Sequence, residues 1–247
     1  MKVFKRTLSV LFWIIMWQLL ATAIKSEILI ASPVRVMEAL VNMIPKGATW
    51  ANVYFSFARI MLGFLIAVVS GVILAVAAYY SMIIKELLYI PMTMIKATPV
   101  ASFIVMALIW ISPSALSVFV SFLMGVPIVY TNVLKGMENI DIKMKEMMRV
   151  FRVSPCKQLR YLYFPKVMPF FYSAVSISLG MCWKAGIAGE IIGIPKGSMG
   201  ERLYNAKIFL NTPELFAWTF IIIFVSAVSE KILLLLLKLI QKKVSGE

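Results

Sequence analysis

Residues 97–134 read ATPVASFIVMALIWISPSALSVFVSFLMGVPIVYTNVL, the longest stretch of the chain without a charged side chain. Its 38 residues are nearly twice the roughly 20 that a helix needs to cross the hydrocarbon core of a bilayer. The polar triplet Ser112-Pro113-Ser114 interrupts the stretch near its middle. It therefore predicts two antiparallel membrane helices joined by a tight turn, the first beginning near Leu87 and bent at Pro91 or Pro99.

Four further apolar runs flank this pair and predict four more membrane helices. They are Thr7–Ile24, then Ile60–Ile84 in a helix that begins near Tyr54 and carries Arg59, then Val167–Trp183, and finally Leu215–Ser229 continued by Ile232–Leu237. The chain is thus predicted to be all-α, a polytopic membrane protein with six transmembrane helices. A cleaved signal peptide is the alternative for the first run, which ends in Ala21-Thr22-Ala23. That run is longer than the roughly 7–15 apolar residues of a signal peptide, which favours an uncleaved helix.

The composition agrees with a membrane protein and excludes several kinds of enzyme. Hydrophobic residues make up 62% of the 247 residues and charged residues 15%, against about 45–50% and about 25% in soluble domains. The chain has no His, and Asp141 is its one Asp. These absences exclude a His-based zinc site, a Ser/His/Asp triad and an aspartic dyad. No catalytic residue, metal site or resident cofactor is predicted.

The net charge of +14 arises from basic residues placed mainly between the apolar runs, which argues for membrane sidedness and against a nucleic-acid surface. With a cytoplasmic N-terminus, fifteen Lys and Arg lie inside and seven outside, and eight of the fifteen belong to Lys135–Lys166. Cytoplasmic loops carry the excess of Lys and Arg, so both termini are placed in the cytoplasm. Cys156 lies in a basic loop and Cys182 in an apolar run, a distribution that predicts no disulfide.

Two segments between the membrane helices are long enough to have structure of their own. Lys25–Val53 lies outside, where two prolines bracket a predicted helix over Val34–Ile44. Lys135–Lys166 lies inside and contains a short predicted helix that Ser154-Pro155 ends, because a residue before proline disfavours the α conformation. Basic and aromatic residues then alternate, which suits a helix lying along the membrane face. On these residues alone, a surface helix without any partner is an equal alternative.

This inner segment resembles the EAA loop of ABC-importer permeases, which runs Glu-Ala-Ala, then Gly, then a Leu-Pro pair. Glu146 matches the family Glu, Met147 and Met148 stand at the alanines, and Phe164-Pro165 stands for Leu-Pro. Arg152 occupies the position where the family usually has Gly. The resemblance implies that the helix docks in a groove of a partner ATPase and that Glu146 caps or orients it. The ATPase-coupling residues implied are Glu146, Met147, Met148, Phe151, Arg152 and Pro165.

Three other segments, in the same order along the chain, resemble permeases of the nitrate/sulfonate/taurine type. They are Ile30-Ala31-Ser32-Pro33 with Val36 and Ala39-Leu40, the Ser-x-x-Arg-x-x-x-Gly-Phe run over Ser56–Phe64, and Gly180-Met181-Cys182-Trp183 with Ala188–Gly193. The resemblance covers most of the chain and implies the transmembrane domain of a type I ABC importer. It places that domain at residues 54–240 with the coupling loop at 135–166, after an N-terminal transmembrane helix and extracellular segment at 1–53.

The resemblance also implies partners. Two such permeases, a second copy of the chain or a paralogue, form the channel in the lipid bilayer, two ATP-binding-cassette ATPase subunits lie below it, and an extracellular solute-binding protein delivers the substrate. ATP and Mg are expected on the ATPase, since this chain has no Gly-rich phosphate loop. The implied function is import by alternating access across a bacterial-type plasma membrane. The expected solute is small and anionic or organic: a sulfonate, taurine, nitrate or a vitamin precursor.

Four residues are candidates for the translocation pathway, each with a structural alternative. Lys96 lies where the family places the pathway and would attract an anion; the alternative is a Lys that snorkels or pairs helices. Glu190 is a candidate gate near the outer end of the fifth span, against a salt bridge to Lys184 or an interfacial carboxylate. Trp110 and Trp183 are also candidates, although a place in the aromatic belt at the membrane interface is favoured for both.

A secondary transporter driven by an ion gradient is the main alternative function. It would use Glu190 or Glu230 as a proton site, but it leaves the EAA-like loop unexplained. An integral membrane enzyme such as a lipid transferase is disfavoured by the missing His and the single Asp. The identity of the solute does not follow from the sequence, because selectivity in the resembled family lies largely in the separate binding protein.

Overall fold

The computed structural model describes residues 2–24 and 26–245, and all regular elements in these ranges are helical. In chain order they are α1 (Lys2–Ile24), α2 (Pro33–Met43), α3 (Gly47–Tyr80), α4 (Met82–Ala97), α5 (Val100–Ala107), α6 (Pro113–Glu138), α7 (Ile142–Val150), α8 (Pro155–Gln158), a π-helical turn (Leu159–Tyr163), α9 (Phe164–Gly193), α10 (Met199–Ile208) and α11 (Thr212–Ser245). Lys25, which enters the charge count, lies outside the described residues, as do the side chains of Lys2, Lys5, Arg6, Lys242 and Lys243.

Six membrane spans are present when one bent pair of helices is counted as a single span. Five helical segments are long and apolar enough to cross a bilayer: α1, α3, α6, the continuous run from α8 through α9, and α11. The sixth span consists of α4 and α5, which meet at an angle of 101°. The predicted all-α class is confirmed, and so is the number of spans on this count.

The bend in the third span lies at Pro99 and not at Pro91. Thr98 has the extended angles φ −80° and ψ 133°, as expected of a residue that precedes proline. Its Oγ1 donates a hydrogen bond of 2.8 Å to the carbonyl of Met94, which stabilises the end of α4 at the break. Pro91 lies inside α4, and the helix continues through it. The short α5 then turns into α6 at the predicted polar triplet.

The centre of the bundle is α6, packed between α3 and α9. Close approach of backbones makes this packing possible: a Cβ atom on Gly63 of α3 would lie 2.4 Å from the carbonyl oxygen of Val118 on α6. Two reciprocal bonds join α6 to α9, from Ser121 Oγ to the carbonyl of Cys182 at 3.0 Å and from Cys182 Sγ to the carbonyl of Ser121 at 3.1 Å. Small residues let membrane helices pack without a hydrophobic driving force. Cys156 and Cys182 are both free, as predicted.

The segment between α1 and α3 is held against the bundle by α1 and α11. The predicted helix over Val34–Ile44 is α2, where the Ser32 side chain caps the first turn by accepting a hydrogen bond from the backbone of Arg35. Trp17 of α1 donates a 3.1 Å bond to the carbonyl of Ala31. The helix predicted to begin near Tyr54 instead begins at Gly47, so the predicted division between residues 53 and 54 falls inside α3. Polar residues at the N-terminal end of α3 hid its first two turns from the search for apolar runs.

Candidate functional site

The predicted coupling helix is α7, which starts at a side-chain cap. Asp141 is its N-cap residue, and its Oδ1 accepts a 2.9 Å hydrogen bond from the backbone N–H of Lys143. Such a cap satisfies one of the free N–H groups of the first turn. Glu146 lies in the middle of α7 with an exposed side chain. Asp141, and not Glu146, is therefore the N-cap of this helix. That Glu146 orients the helix stays a prediction.

The end of α7 is formed by Arg152, the residue at the usual Gly position. Arg152 has φ 48°, in the left-handed region that glycine adopts without strain. Its N–H bonds the carbonyl of Arg149 at 3.0 Å, and the N–H of Val153 bonds the carbonyl of Met148 at 2.9 Å. These two bonds make a Schellman motif, which ends a helix and turns the chain away from its axis. The loop thus keeps a glycine-type turn although its sequence departs from the family pattern.

We expect Arg152→Gly to stabilise the end of α7 by about 0.5–1 kcal/mol, because glycine removes the cost of a left-handed Cβ. Hydrogen–deuterium exchange of the α7 amides should slow by about twofold to fivefold. The matched control is Arg149→Gly, three residues earlier in the last turn of α7, which should weaken α7 by up to about 1 kcal/mol. Faster exchange in both variants would contradict the assigned turn.

Because α7 buries none of its residues, several of its apolar side chains are exposed, and we call this set the coupling patch. Its members are Ile142 (69% exposed), Met147 (45%), Val150 (77%) and Phe151 (74%). None of the residues of α7 is buried in the chain. Met148 is half-buried and Met147 is exposed, so the two methionines predicted to act together have different environments. Ile142 was missed by the sequence analysis, although its spacing of eight residues from Val150 matches one face of a helix.

Pro165 lies in the first turn of α9, where the absence of its N–H costs little. The π-helical turn directly before it carries a bond from the N–H of Phe164 to the carbonyl of Leu159, five residues back. A π turn is a local widening of a helix and is frequent where a side chain or proline disturbs the regular ladder. Pro165 thereby marks the point at which the predicted coupling loop passes into α9, one of the membrane spans.

Lys96, at the end of α4, lies on an exposed face that α4 shares with α6. Its Nζ donates a 2.6 Å hydrogen bond to Oγ1 of Thr131, and Oγ1 of Thr131 in turn donates to the carbonyl of Pro127 at 2.6 Å. No carboxylate pairs with Lys96 in the described part of the chain. A helix-pairing contact is therefore present, and the ammonium also keeps donors available for an anion. Thr131, four residues from a helix proline, was missed by the sequence analysis.

The two tryptophans have opposite environments. Trp110 is 75% exposed in the turn between α5 and α6. Trp183 is 2% exposed, donates a 3.0 Å bond from Nε1 to Oγ of Ser229 on α11, and packs on Phe57 of α3. The interface belt favoured for Trp183 is therefore wrong: its ring is a core contact between three helices. A place in the pathway stays a prediction for both residues.

Glu190 is fully buried and joins three helices. Its Oε2 accepts a 2.7 Å hydrogen bond from Oγ of Ser56 on α3 and a 3.2 Å bond from the N–H of Gly200 on α10. Ser56 Oγ also accepts a 2.9 Å hydrogen bond from the N–H of Met199. The first two N–H groups of α10 therefore bond to side chains of α3 and α9. Neither the predicted salt bridge to Lys184 nor an interfacial position is found. Local spacing could not predict this junction, because Ser56 and Glu190 lie 134 residues apart, although each belongs to a segment that resembles the permease family.

Three buried charged atoms on the helices of this junction lack hydrogen-bond partners among the described residues: Oε1 of Glu190, Nη1 of Arg59 and Nε of Arg202. The guanidinium of Arg59 lies 3.5 Å from the ring centre of Phe55. Buried polar atoms without partners are rare and mark places where another group or another conformation completes the bonding. The junction is thus a candidate gate that still has an unused donor and acceptor.

Comparison with known proteins identifies the family. Residues 60–246 match the model of the family described as "Binding-protein-dependent transport system inner membrane component". The chain belongs to this family. Its fold is that of the membrane domain of type I ABC importers, and the chain is a multi-pass membrane component of a transport system.

Several transport permeases are similar to this family member over most of their length. The putative aliphatic sulfonates transport permease protein of Bacillus subtilis (strain 168) is 23% identical over 225 residues, 90% of this chain and 81% of the relative. The nitrate import permease protein of Synechocystis sp. is 23% identical over 221 residues, 84% of this chain and 79% of the relative. A bicarbonate transport system permease protein of Synechococcus elongatus is 23% identical over 195 residues, 74% and 70%. The resemblance to permeases of the nitrate/sulfonate type is confirmed.

Proposed function

We propose that this chain is the permease subunit of an ABC importer and that α7 couples it to a separate ATPase. The coupling patch carries this proposal: a short capped helix outside the membrane spans exposes Ile142, Val150 and Phe151. Apolar side chains that face water without a partner mark an interaction site. The hydrogen-bonded turn at Arg152 supports the same role, because it fixes the direction in which the chain leaves α7 towards α9.

The arrangement of the helices supports the proposed orientation. With the N-terminus of α1 in the cytoplasm, six spans bring α7, the start of α9 and the end of α11 to that same side. This is the side on which a cytoplasmic ATPase docks and on which the excess of Lys and Arg is expected. Two permeases, two ATPase subunits and an extracellular binding protein then form the transporter, with ATP and Mg bound by the ATPase and alternating access of the membrane cavity.

An anionic solute is proposed from the relatives and from Lys96 together. The relatives are named for aliphatic sulfonates, nitrate and bicarbonate, all small anions. Lys96 offers a cation without a carboxylate partner in the described chain, held by Thr131 on the exposed face between α4 and α6. A cation inside a membrane domain is costly and serves a site where charge is needed. Lys96 is therefore the residue proposed to meet the anion.

The test of the proposed function is the composition of the purified complex. The full chain, tagged and purified in mild detergent from its own cell, should carry a P-loop ATPase in about equal amount. A preparation of the Phe151→Ala variant should contain much less of that subunit. A chain that repeatedly purifies alone and whose transport stops with an uncoupler, but not with ATP depletion, would instead identify a secondary transporter.

Lys96→Gln is expected to raise the KM for the anion by about tenfold, because hydrogen bonds to a charged group contribute roughly 1.5–3 kcal/mol. The measurement is uptake of labelled nitrate, taurine and bicarbonate by proteoliposomes that contain the whole importer with its binding protein. Lys96→Arg keeps the charge and should retain most of the uptake. Basal ATP hydrolysis should be the same in all three proteins. An unchanged KM in Lys96→Gln for every one of these anions would remove Lys96 from the pathway.

A further inference from the structure

The helix α2 has three different faces, each about a third of its circumference at 3.6 residues per turn. One face packs into the bundle, with Val36 and Met43 buried and Leu40 half-buried. A second face is polar and exposed, and its residues are Arg35, Glu38 and Asn42. The third face is apolar and exposed, and we call it the apolar stripe: Val34, Met37, Val41 and Ile44.

The apolar stripe is open along its whole length. Val34, Met37 and Val41 are each 61% exposed, and Ile44 is 51% exposed. A helix on the surface of a soluble domain has one apolar face towards the core and a polar face towards water. A further exposed apolar face of four residues marks contact with another apolar phase or molecule.

Contacts at the start of α2 place it at the level of two membrane spans. Trp17 of α1 donates a 3.1 Å hydrogen bond to the carbonyl of Ala31, two residues before α2 begins. Trp17 lies seven residues before the end of α1, about 10 Å back along the helix axis. Its ring also stacks on Phe220 of α11 at 6.0 Å. The chain thus folds back beside α1 and α11 before α2 begins, and α2 does not stand on a loop that projects from the membrane.

The end of α2 is followed by two exposed aromatic residues at the start of α3. Trp50 donates a 2.8 Å hydrogen bond from Nε1 to the carbonyl of Ile44, the last residue of the apolar stripe. Trp50 is 52% exposed, and Tyr54, one turn further along α3, is 72% exposed. Trp and Tyr are enriched where membrane helices meet the membrane surface, because each side chain has an apolar body and a polar tip. The apolar stripe therefore ends beside residues typical of the boundary between lipid and water.

We infer that α2 lies in this boundary, with the apolar stripe inserted into lipid and the polar face turned towards water. Helices with such faces lie in the plane of the interface, with their apolar side chains about 5–10 Å deep. On the polar face, Arg35 forms exposed ion pairs with Glu27 at 3.2 Å and with Glu38 at 3.1 Å, so these charges stay hydrated.

Lipid is the occupant of the stripe because the spans beside α2 are themselves covered by lipid. Only 6% of the apolar window of α1, and 6% of that of α11, is buried within the chain. The stripe of α2 adds to this lipid-facing surface at its edge. Only the polar face of α2 is then left for a protein partner in water.

Val41 and Asn42 provide a matched pair for the test, because they are neighbours in the sequence but lie on different exposed faces of α2. Val41→Cys and Asn42→Cys are each made in the full chain with Cys156→Ser, which removes the exposed native thiol and leaves the buried Cys182. The proteins are placed in POPC nanodiscs, and reaction with a positively charged methanethiosulfonate is followed by mass spectrometry. We expect Val41→Cys to react at least about tenfold more slowly, because the thiolate is the nucleophile and apolar surroundings raise the pKa of a thiol.

A second measurement identifies lipid as the covering material. Each thiol is labelled with bimane before reconstitution, and the nanodiscs contain phosphatidylcholine with or without a doxyl quencher on the acyl chain. The bimane at Val41→Cys should lose fluorescence when the quencher is present, whereas the bimane at Asn42→Cys should keep it. Met37→Cys, one turn before Val41 on the apolar stripe, should behave like Val41→Cys in both measurements.

Three results would overturn the inference. Equal reaction rates at Val41→Cys and Asn42→Cys, with no quenching of either label, would mean that the stripe faces water. Protection of Val41→Cys without quenching, lost in nanodiscs that hold a single chain, would mean that a second copy covers the stripe. Protection that appears only when the solute-binding protein is added would make the stripe a docking surface for that protein. The inference does not rest on the proposed function, since none of these results depends on an ATPase or on which side of the membrane α2 lies.

Discussion

Replacing Phe151 with alanine is expected to weaken binding of the partner ATPase about a hundredfold, since truncating a central aromatic anchor costs roughly 2–4 kcal/mol. Phe151 lies at the end of α7 with 74% of its surface exposed, and its neighbour Val150 is equally free. The Schellman turn that follows fixes the backbone at Phe151, so the main chain there is already ordered before binding. Anchors that are already ordered bind with less loss of conformational entropy.

The measurement for Phe151→Ala is a titration of the detergent-purified permease with its ATPase, together with ATP hydrolysis by the reconstituted complex. The control is Phe209→Ala, an equally exposed phenylalanine (77%) that follows α10 on the opposite side of the membrane. It should leave ATPase affinity unchanged. If both variants bind the ATPase as tightly as the parent does, Phe151 is not part of the interface. If both bind more weakly than the parent, the cause is general destabilisation.

The number and positions of the spans were predictable because the bilayer leaves few solutions. A backbone in hydrocarbon must satisfy its own hydrogen bonds, so an apolar run of sufficient length is a helix. The turn within residues 97–134 and the bend at a proline were predictable for a second reason. Proline restricts the conformation of the residue before it and so interrupts a helix. Helix ends were predicted less well, as at Gly47, since a helix can continue beyond the membrane through polar residues, which lower the hydropathy and end the apolar run.

The partners of the polar residues were not predictable, because hydropathy does not say which side of a helix faces another helix. Trp183 and Glu190 are both residue types that are common at membrane interfaces, yet both side chains of α9 are buried in the core. Their partners Ser229 and Ser56 lie in other helices far along the chain. The cap of α7 is a different case: Asp141 just before a helix is a recognisable N-cap, and the family resemblance drew attention to Glu146 instead.

The junction around Glu190 leads to the second large effect. Gly200→Ala is expected to lower the free energy of unfolding by roughly 3–5 kcal/mol, the sum of overpacking and of two buried hydrogen bonds lost. A Cβ at Gly200 would lie 2.3 Å from Cβ of Glu190, 2.6 Å from its carbonyl carbon and 2.7 Å from the backbone nitrogen of Ile191. Backbone atoms inside α9 cannot yield, so α10 must move away from its seat.

That movement would separate the N–H groups of Met199 and Gly200 from Ser56 and Glu190, whose bonds are 2.9 Å and 3.2 Å long. Thermal unfolding in detergent measures the loss. The matched control is Gly180→Ala in the same helix as Glu190, where an added Cβ meets nothing within 4 Å and stability should be kept or gained. If Gly200→Ala does not fold, Ser56→Ala tests the same junction, with an expected loss of roughly 1–3 kcal/mol. Stability equal to the parent in both Gly200→Ala and Ser56→Ala would mean that α10 is not held by this junction, and Glu190 would then be free to act elsewhere.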